Sequence, residues 1–245
     1  MADMTDWWPL FDLRLRTPQL ELRLPSDEDL EALASLAAAG VHDPEEMPFS
    51  VPWSDLAPAE RGRGLLQYHW SRRADWTPAR WSLELAVVRD GTVVGTQGVG
   101  AHDFAVVREV HTGSWLGQAY QGQGIGTQMR AAVLHLAFAG LGAQYARSEA
   151  FVDNPASLGV SRKLRYADDG IELHARRGTA AVTQRLRLDR QTWEATRTVP
   201  VTVEGLKPCL PMFGLPKPGI EPAEPGIEPA EPGSEPTEPG TDSAV

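Results

Sequence analysis

The chain of 245 residues has very little cysteine and no long apolar run. Its one cysteine, Cys209, excludes an internal disulfide, fits a reducing compartment, and lies in a Pro-rich stretch without a nearby base that would make it a nucleophile. No apolar run reaches the roughly 18 residues of a membrane span. No basic start followed by an apolar stretch precedes a small-residue cleavage site, so we expect no secretory signal. These absences predict a cytoplasmic protein without a membrane partner.

Metal and nucleic-acid sites also lack support in the sequence. The six histidines show none of the close His, Cys and Asp spacings of a metal site, so no metal is predicted. A formal net charge of −10 argues against a nucleic-acid partner. Much of this charge lies near the C-terminus, since the chain from Gly219 onward holds six glutamates and one aspartate with no Lys or Arg. The remainder is only mildly acidic, and its charge indicates little about a substrate.

The same C-terminal segment is a Pro-rich repeat. Three heptads, GIEPAEP, GIEPAEP and GSEPTEP, begin at Gly219, Gly226 and Gly233. Two prolines in every seven residues block helices and central strands, and the apolar content is too low for a core. We therefore expect one folded domain over residues 1–215 and a disordered acidic tail over residues 216–245, which either solvates the protein or binds a partner.

Strand-like and helical segments alternate along the predicted domain. Asp90-Gly91 joins two alternating segments, Trp81–Val88 and Thr92–Gly100, and indicates a hairpin. Ser26 has the character of an N-cap for a helix through Ala39. The order predicts an α+β fold. Its other elements are strands at Leu20–Leu24, Val107–Leu116, Tyr145–Val152, Ile171–Ala175 and Ala181–Leu188, and helices at Pro58–Asp75, Ile125–Ala139, from Pro155, and near Asp189–Thr196.

A Gly-rich run, QGQGIG, stands between a predicted strand and the helix that begins near Ile125. Its glycines, Gly122, Gly124 and Gly126, lack the G-x-G-x-x-G spacing of a dinucleotide fold, and no Lys-Ser or Lys-Thr pair follows as in a P-loop. A Gly-rich turn that opens a helix presents backbone N–H groups and the positive end of the helix dipole. The run therefore indicates either a site for phosphate or pyrophosphate or an ordinary, tightly packed helix start.

The run and its neighbours resemble the GNAT superfamily, the CoA-dependent N-acyltransferases. QGQGIG is similar to the pyrophosphate loop of that family, and Ser114-Trp115-Leu116 to the strand that precedes it. Leu15–Arg23 and the stretch Asn154–Tyr166 resemble the branch that contains ribosomal-protein N-terminal acetyltransferases, except that Arg165 stands where that branch usually has Gly. The resemblance covers roughly residues 10–195. It implies a GNAT fold: a splayed, mostly antiparallel mixed sheet flanked by helices.

A narrower resemblance involves the N-terminal half. Trp8–Arg14, Gly40–Pro44 and Met47–Trp53 are similar to a bacterial GNAT subgroup described as succinyltransferases. This resemblance implies succinyl-CoA as an alternative donor to acetyl-CoA. A buried succinyl carboxylate requires a cation or N–H groups. The candidate cations in the sequence are Arg72, Arg73, Arg80 and Arg108.

The resemblance also implies the residues that bind acyl-CoA. The glycine amides approach the pyrophosphate because no Cβ intervenes, and the Gln121 amide donates to a phosphate oxygen. Asn154 hydrogen-bonds the pantetheine arm, caps the helix from Pro155, or does both. The full set of predicted CoA-binding residues is Trp115, Leu116, Gln121, Gly122, Gly124, Gly126, Thr127 and Asn154.

Two catalytic residues follow from the same comparison. Ser157 is the predicted general acid for the leaving thiolate, with an ordinary first-turn serine as its alternative. His111 falls in the strand position where the branch often has Glu and is the predicted base; Glu109 and Glu149 are further candidates. His42 and Asp43 are expected to shape the pocket of the amine acceptor, which is a protein N-terminus, a lysine or a small amine.

Two functions compete at this stage. The first is direct N-acyl transfer in a ternary complex, and the second is a non-catalytic CoA-binding or interaction protein on the same fold. A homo-oligomer is expected by analogy with the branch.

Overall fold

The computed structural model describes residues 3–216, whose nine strands form one sheet in the order β7-β8-β6-β5-β4-β3-β2-β1-β9. Every neighbouring pair is antiparallel except β5 and β6, which are parallel. The strands are β1 Arg14–Arg16, β2 Glu21–Arg23, β3 Arg80–Arg89, β4 Thr92–His102, β5 Glu109–Leu116, β6 Tyr145–Phe151, β7 Ala167–Arg176, β8 Thr179–Asp189 and β9 Thr202–Glu204.

Helices cover both faces of this sheet. The helices are α1 Met4–Trp7, α2 Asp27–Ala39, α3 Pro58–Ala74, α4 Phe104–Val107, α5 Ile125–His135, α6 Pro155–Lys163, α7 Arg190–Thr196 and α8 Leu206–Cys209. The α5 stripe of Ile125, Met129 and Val133 is buried in the main core on one face. On the other face, Leu33 of α2 and Leu65 of α3 pack in a second buried cluster on β3 and β4.

The sheet opens into a fork between β5 and β6. Their parallel pairing extends only from Glu109 with Tyr145 to His111 with Arg147. Beyond that point β6 continues beside β8 as far as Phe151, while the remaining residues of β5 pair only with β4. One edge of β5 from Thr112 to Leu116 therefore faces the fork without a strand partner, and the Ser114 backbone groups on it are left for a ligand.

The fold class predicted from the sequence, a GNAT-type α+β fold with a mixed sheet flanked by helices, is confirmed. The Ser26 cap is also confirmed, since its side chain and that of Asp29 form a capping box on α2. Asp90 and Gly91 form the predicted hairpin turn with φ of 49° and 77°.

Other expectations about the elements are wrong. The list of predicted elements stops at the helix near Asp189–Thr196, but the chain then adds β9 beside β1, a pairing between residues nearly 190 positions apart. The main helix does not end at Gly140, because it continues as a π-helical segment over Leu136–Leu141. Gly142, with φ of 80°, ends it.

The predicted acidic tail begins at residue 216. Its remaining residues, 217–245, lie outside the described residues. Within residues 3–216, no helix combines the length and the apolar character that crossing a membrane requires.

Candidate active site

The Gly-rich loop presents open backbone at the start of α5. Gly122 and Gly124 have φ of 72° and 80°, and a Cβ at either position would meet no atom within 4 Å. Gly124 is the N-cap of α5. The amides of Ile125 and Gly126 have no hydrogen-bond acceptor within residues 3–216, while that of Thr127 donates to the Gly124 carbonyl at 3.2 Å. These features form an anion cradle at a helix N-terminus.

The Gln121 side chain does not make the predicted arrangement, in which its amide donates a hydrogen bond to a phosphate oxygen. Its Nε2 donates to the carbonyls of Val41 and Leu116, at 2.8 and 3.0 Å. Both N–H groups of the amide are therefore used inside the protein. The side chain ties the loop to the end of β5 and to the chain that follows α2, so it shapes the cradle instead of filling it.

The fork edge of β5 is formed by alternate residues. Gly117 donates its amide to the Val94 carbonyl at 3.0 Å, which fixes the hydrogen-bonding phase against β4. By alternation, Trp115 directs its N–H and C=O toward β4, whereas Ser114 and Leu116 direct theirs into the fork. The Trp115 side chain packs on Trp53, with ring centroids 5.9 Å apart. The backbone edge that faces the fork at this point therefore belongs to Ser114 and not to Trp115.

Asn154 and Ser157 begin the helix that flanks the fork on the α5 side. Asn154 is the N-cap of α6, and its Oδ1 accepts from the Ser157 amide at 3.0 Å. The predicted capping role is thus confirmed, and it leaves the two Nδ2 hydrogens for another acceptor. The Ser157 hydroxyl makes no hydrogen bond within the described residues and is half-buried. Val160 of α6 packs close to Gly126, which sets α6 beside the anion cradle.

His111, the predicted base, forms no ion pair among residues 3–216. It ends the paired part of β5, and its ring lies over Gly100, whose Cβ would come within 2.7 Å of the imidazole. Packing against the sheet lowers the pKa of His111, and Arg147 lowers it further, although part of the residue stays exposed. Both effects act against the charged form of the imidazole.

The two alternative bases, Glu109 and Glu149, differ in their surroundings. Glu109 is bound by Arg147 at 2.7 Å and by Arg187 at 2.6 Å. Glu149 lies with Glu172 and His174 of β7, their ligand atoms within 4.8 Å of one another, in an exposed group that could hold a metal ion. Sequence spacing did not reveal that group, because its members come from two strands.

The loop between α2 and α3 covers the fork. An aromatic series of His42, Phe49, Trp53 and Trp115 connects it to β5, with successive ring centroids 5.0 to 5.9 Å apart. His42 Nε2 also lies 2.6 Å from the Ser54 hydroxyl.

The tip of the β7–β8 hairpin contacts the loop between α2 and α3 at several points. Arg177 binds Asp55 at 2.6 Å and the Pro44 carbonyl at 2.9 Å. Arg176 reaches the Met47 carbonyl at 3.3 Å. The loop therefore extends from α2 to the outer strands and covers the fork. This position is consistent with the expectation that the loop shapes an acceptor pocket.

Two charged groups near the fork were missed by the sequence analysis. Arg130 of α5 is only 5 % exposed and donates to Ser148 and Ser161, and burial lowers its pKa. Glu84 of β3 lies on the opposite face, where Tyr68 and Ser82 donate to it. Polar residues at otherwise apolar positions, Glu84 between Leu83 and Leu85 and Arg130 beside Ala131 and Ala132, are the signals that could have identified them.

The arginines considered for a succinyl carboxylate are partly occupied. Arg73 donates to the Pro25 carbonyl and Arg108 to that of Leu141. Arg72 interacts with Ser71 and Asp75. None of the partners of these three arginines lies on β5, β6 or α6, the elements that form the fork.

Residues 19–167, more than half of the chain, match the family model described as the acetyltransferase (GNAT) domain. The chain therefore belongs to the GNAT acetyltransferase family. The matched region contains the cradle, the fork and the start of α6.

Solved structures share the fold at low sequence identity. RimJ of Mycobacterium smegmatis, solved with a CoA disulfide, is 19% identical over 75% of this chain and 90% of its own, with a TM-score of 0.62. RimL, a ribosomal-protein α-N-acetyltransferase solved with coenzyme A, is 19% identical over 72% and 97%, with a TM-score of 0.57. A spermidine N-acetyltransferase chimera of Vibrio cholerae SpeG and hSSAT is 16% identical over 72% and 99%, with a TM-score of 0.56.

Proposed function

We propose that this protein transfers an acyl group from acyl-CoA to an amine by direct attack in a ternary complex. The observation that carries the proposal is the anion cradle at Gly122 and Gly124 set beside the unpartnered edge of β5. The cradle suits the pyrophosphate of CoA, and the edge offers the Ser114 backbone to the amide groups of the pantetheine arm. Both lie within the part of the chain that matches the GNAT family.

The described residues support binding of the donor in an extended conformation. The amides of Ile125 and Gly126 face the pyrophosphate, while Asn154 offers its Nδ2 to the pantetheine arm and caps α6 at the same time. Each contact pairs a phosphate or amide group of CoA with a polar group left open in the protein. The thioester then lies in the fork, between the α5 face and the α2–α3 face of the sheet.

The chemistry uses one proton donor and one proton acceptor. His111 removes a proton from the acceptor ammonium, and the amine nitrogen attacks the thioester carbon, so that the C–N bond forms as the C–S bond breaks. The nitrogen loses its second proton to solvent as the amide forms. The Ser157 hydroxyl gives its proton to the departing thiolate and regains one from solvent. One proton is released per turnover, and no covalent enzyme intermediate forms.

The donor is acetyl-CoA or succinyl-CoA, and the acceptor is a protein N-terminus, a lysine or a small amine. Some structural neighbours act on such amines, as their names state: a ribosomal protein for RimL and spermidine for the SpeG chimera. A larger thermal shift with succinyl-CoA than with acetyl-CoA would support the succinyl donor, and the reverse would exclude it.

The test of catalysis is release of free CoA thiol over a panel of amines with each donor. We expect His111→Gln and Ser157→Ala each to lower kcat by roughly a hundredfold, in the range of general acid–base catalysis. CoA binding should persist in both variants, because neither side chain is part of the cradle. If CoA binds but no amine raises thiol release in the wild type, the protein is a non-catalytic CoA-binding protein instead.

A further inference from the structure

Glu84 places a carboxylate on the sheet face that is opposite to α5. It lies in β3 and pairs with Gly98 of β4. Its side chain lies across that glycine, since a Cβ at Gly98 would come within 2.6 Å of Glu84 Oε2. Any larger residue at position 98 would displace the carboxylate. The Glu84 position therefore depends on a glycine in the neighbouring strand.

The charge of this carboxylate is only partly compensated inside the protein. Ser82 and Tyr68 donate to Oε1 at 2.8 and 2.9 Å. Across residues 3–216, Oε2 receives no hydrogen bond, and no Lys or Arg nitrogen lies within 4.0 Å of Glu84. Arg72 acts on Glu84 only at longer range, because its guanidinium lies over the Tyr68 ring and toward Asp75. A half-buried carboxylate with an unused oxygen can accept a charge-assisted hydrogen bond from a cation.

A patch of glycines, Gly98 and Gly100 of β4 and Gly113 of β5, lies between this carboxylate and the fork and is called the glycine floor below. Gly113 of β5 pairs with Gly98 of β4 and lies on the same face. A Cβ at Gly113 would meet no atom within 4 Å, so the space above it is open. His111 lies over the next glycine along β4, Gly100. A ligand on this floor would therefore have Glu84 on one side and the candidate base on another.

We propose that Glu84 binds a second positively charged group of the amine acceptor, and that the acceptors are amines with another ammonium a few carbon atoms from the reacting nitrogen. Adjacent strands lie about 4.8 Å apart. The Glu84 carboxylate lies over β4, and the fork lies beyond β5, so the carboxylate and the reacting nitrogen are separated by roughly one to two strand spacings, about 5–10 Å. One ammonium cannot contact both places, whereas a diamine can.

This inference rests on the proposed function and names the substrate class of the same site. Burial raises the pKa of Glu84, and a bound ammonium would favour the ionised form again. Tyr68, which donates to the carboxylate, is 45 % exposed, so this end of the floor is reachable from solvent.

The test compares 1,5-diaminopentane with 1-aminopentane, which share the chain length and differ in the second ammonium. Each is titrated calorimetrically into the full-length protein saturated with CoA. We expect the diamine to bind the wild type at least about tenfold more tightly, the magnitude of a charge-assisted hydrogen bond. Glu84→Gln keeps an oxygen acceptor for Tyr68 and Ser82 but removes the charge, and it should abolish the preference. Glu31→Gln, on the exposed side of α2, should retain it.

Equal affinity for the two amines in the wild type, or an unchanged preference in Glu84→Gln, would overturn the assignment of Glu84. A role of Glu84 in folding alone would lower the thermal stability of Glu84→Gln without changing the ratio of the two affinities. Failure of the proposed function is distinguished by a separate readout: it appears as absence of CoA binding or as CoA binding without amine-dependent thiol release, whereas the assignment of Glu84 is judged by the ratio of the two amine affinities.

Discussion

Replacement of Gly124 by alanine tests whether the loop at the start of α5 grips CoA. Gly124 has φ of 80°, and a Cβ there would meet no protein atom within 4 Å. The unbound protein should therefore lose only the energy of a left-handed alanine, about 1 kcal/mol, or about 2–4 °C in Tm for a domain of this size. The free energy of CoA binding should fall by more than this, because the Cβ enters the space that the pyrophosphate needs. Loss of one charge-assisted hydrogen bond would weaken binding by about ten- to a hundredfold.

Gly178 provides a matched control for this substitution. Its φ is also 80°, no atom lies within 4 Å of its Cβ position, and it belongs to the turn between β7 and β8. Gly178→Ala should lower the free energy of unfolding as much as Gly124→Ala does, while CoA affinity stays at the wild-type value. Calorimetric titration with CoA and urea denaturation measure the two quantities separately. If both variants bind CoA equally well, the loop is an ordinary helix start and the assignment of the cradle is wrong.

Two further predictions concern stability. Arg165 has φ of 65°, so Arg165→Gly should raise the free energy of unfolding by about 1 kcal/mol in urea denaturation; a decrease would show that the arginine side chain contributes more than the strain costs. Burial lowers the pKa of His69 in the folded protein to about 4, while His69 in the unfolded chain has a pKa of about 6.5. Between these two pH values the unfolded chain binds the proton and the folded protein does not. The free energy of unfolding should therefore fall by up to about 3 kcal/mol as the pH drops from about 6.5 to about 4. His69→Gln should reduce this pH dependence; an unchanged slope would refute it.

The sequence predicted the parts of the site that depend on local spacing. The cradle could be located because Gly122, Gly124 and the start of α5 are neighbours in the chain, and the physics of a helix N-terminus needs no distant partner. The cap by Asn154 is local in the same way. The departure at Arg165 also has a local meaning, since the residue adopts the left-handed conformation that glycine accepts at no cost.

The parts that depend on strand register could not be predicted in this way. Trp115 was expected to contact CoA, but the phase of pairing against β4 gives that edge to Ser114, one residue away. Glu84 was missed because its meaning depends on Gly98 and Gly113, which lie on two other strands. The amide of Gln121 was assigned to a phosphate because its long-range acceptor, the Val41 carbonyl, is 80 residues distant.

The arrangement of the site follows from β5 having different partners along its length. Near His111 it pairs on both sides, and beyond that residue it keeps only β4. In the proposed reaction, the open edge admits the donor from the face where α5 and α6 lie, and the glycine floor on the other face leaves room for the acceptor. The proposed acid, Ser157 of α6, and the proposed base, His111 of β5, then approach the fork from opposite faces of the sheet. Each would exchange its proton with solvent on its own side.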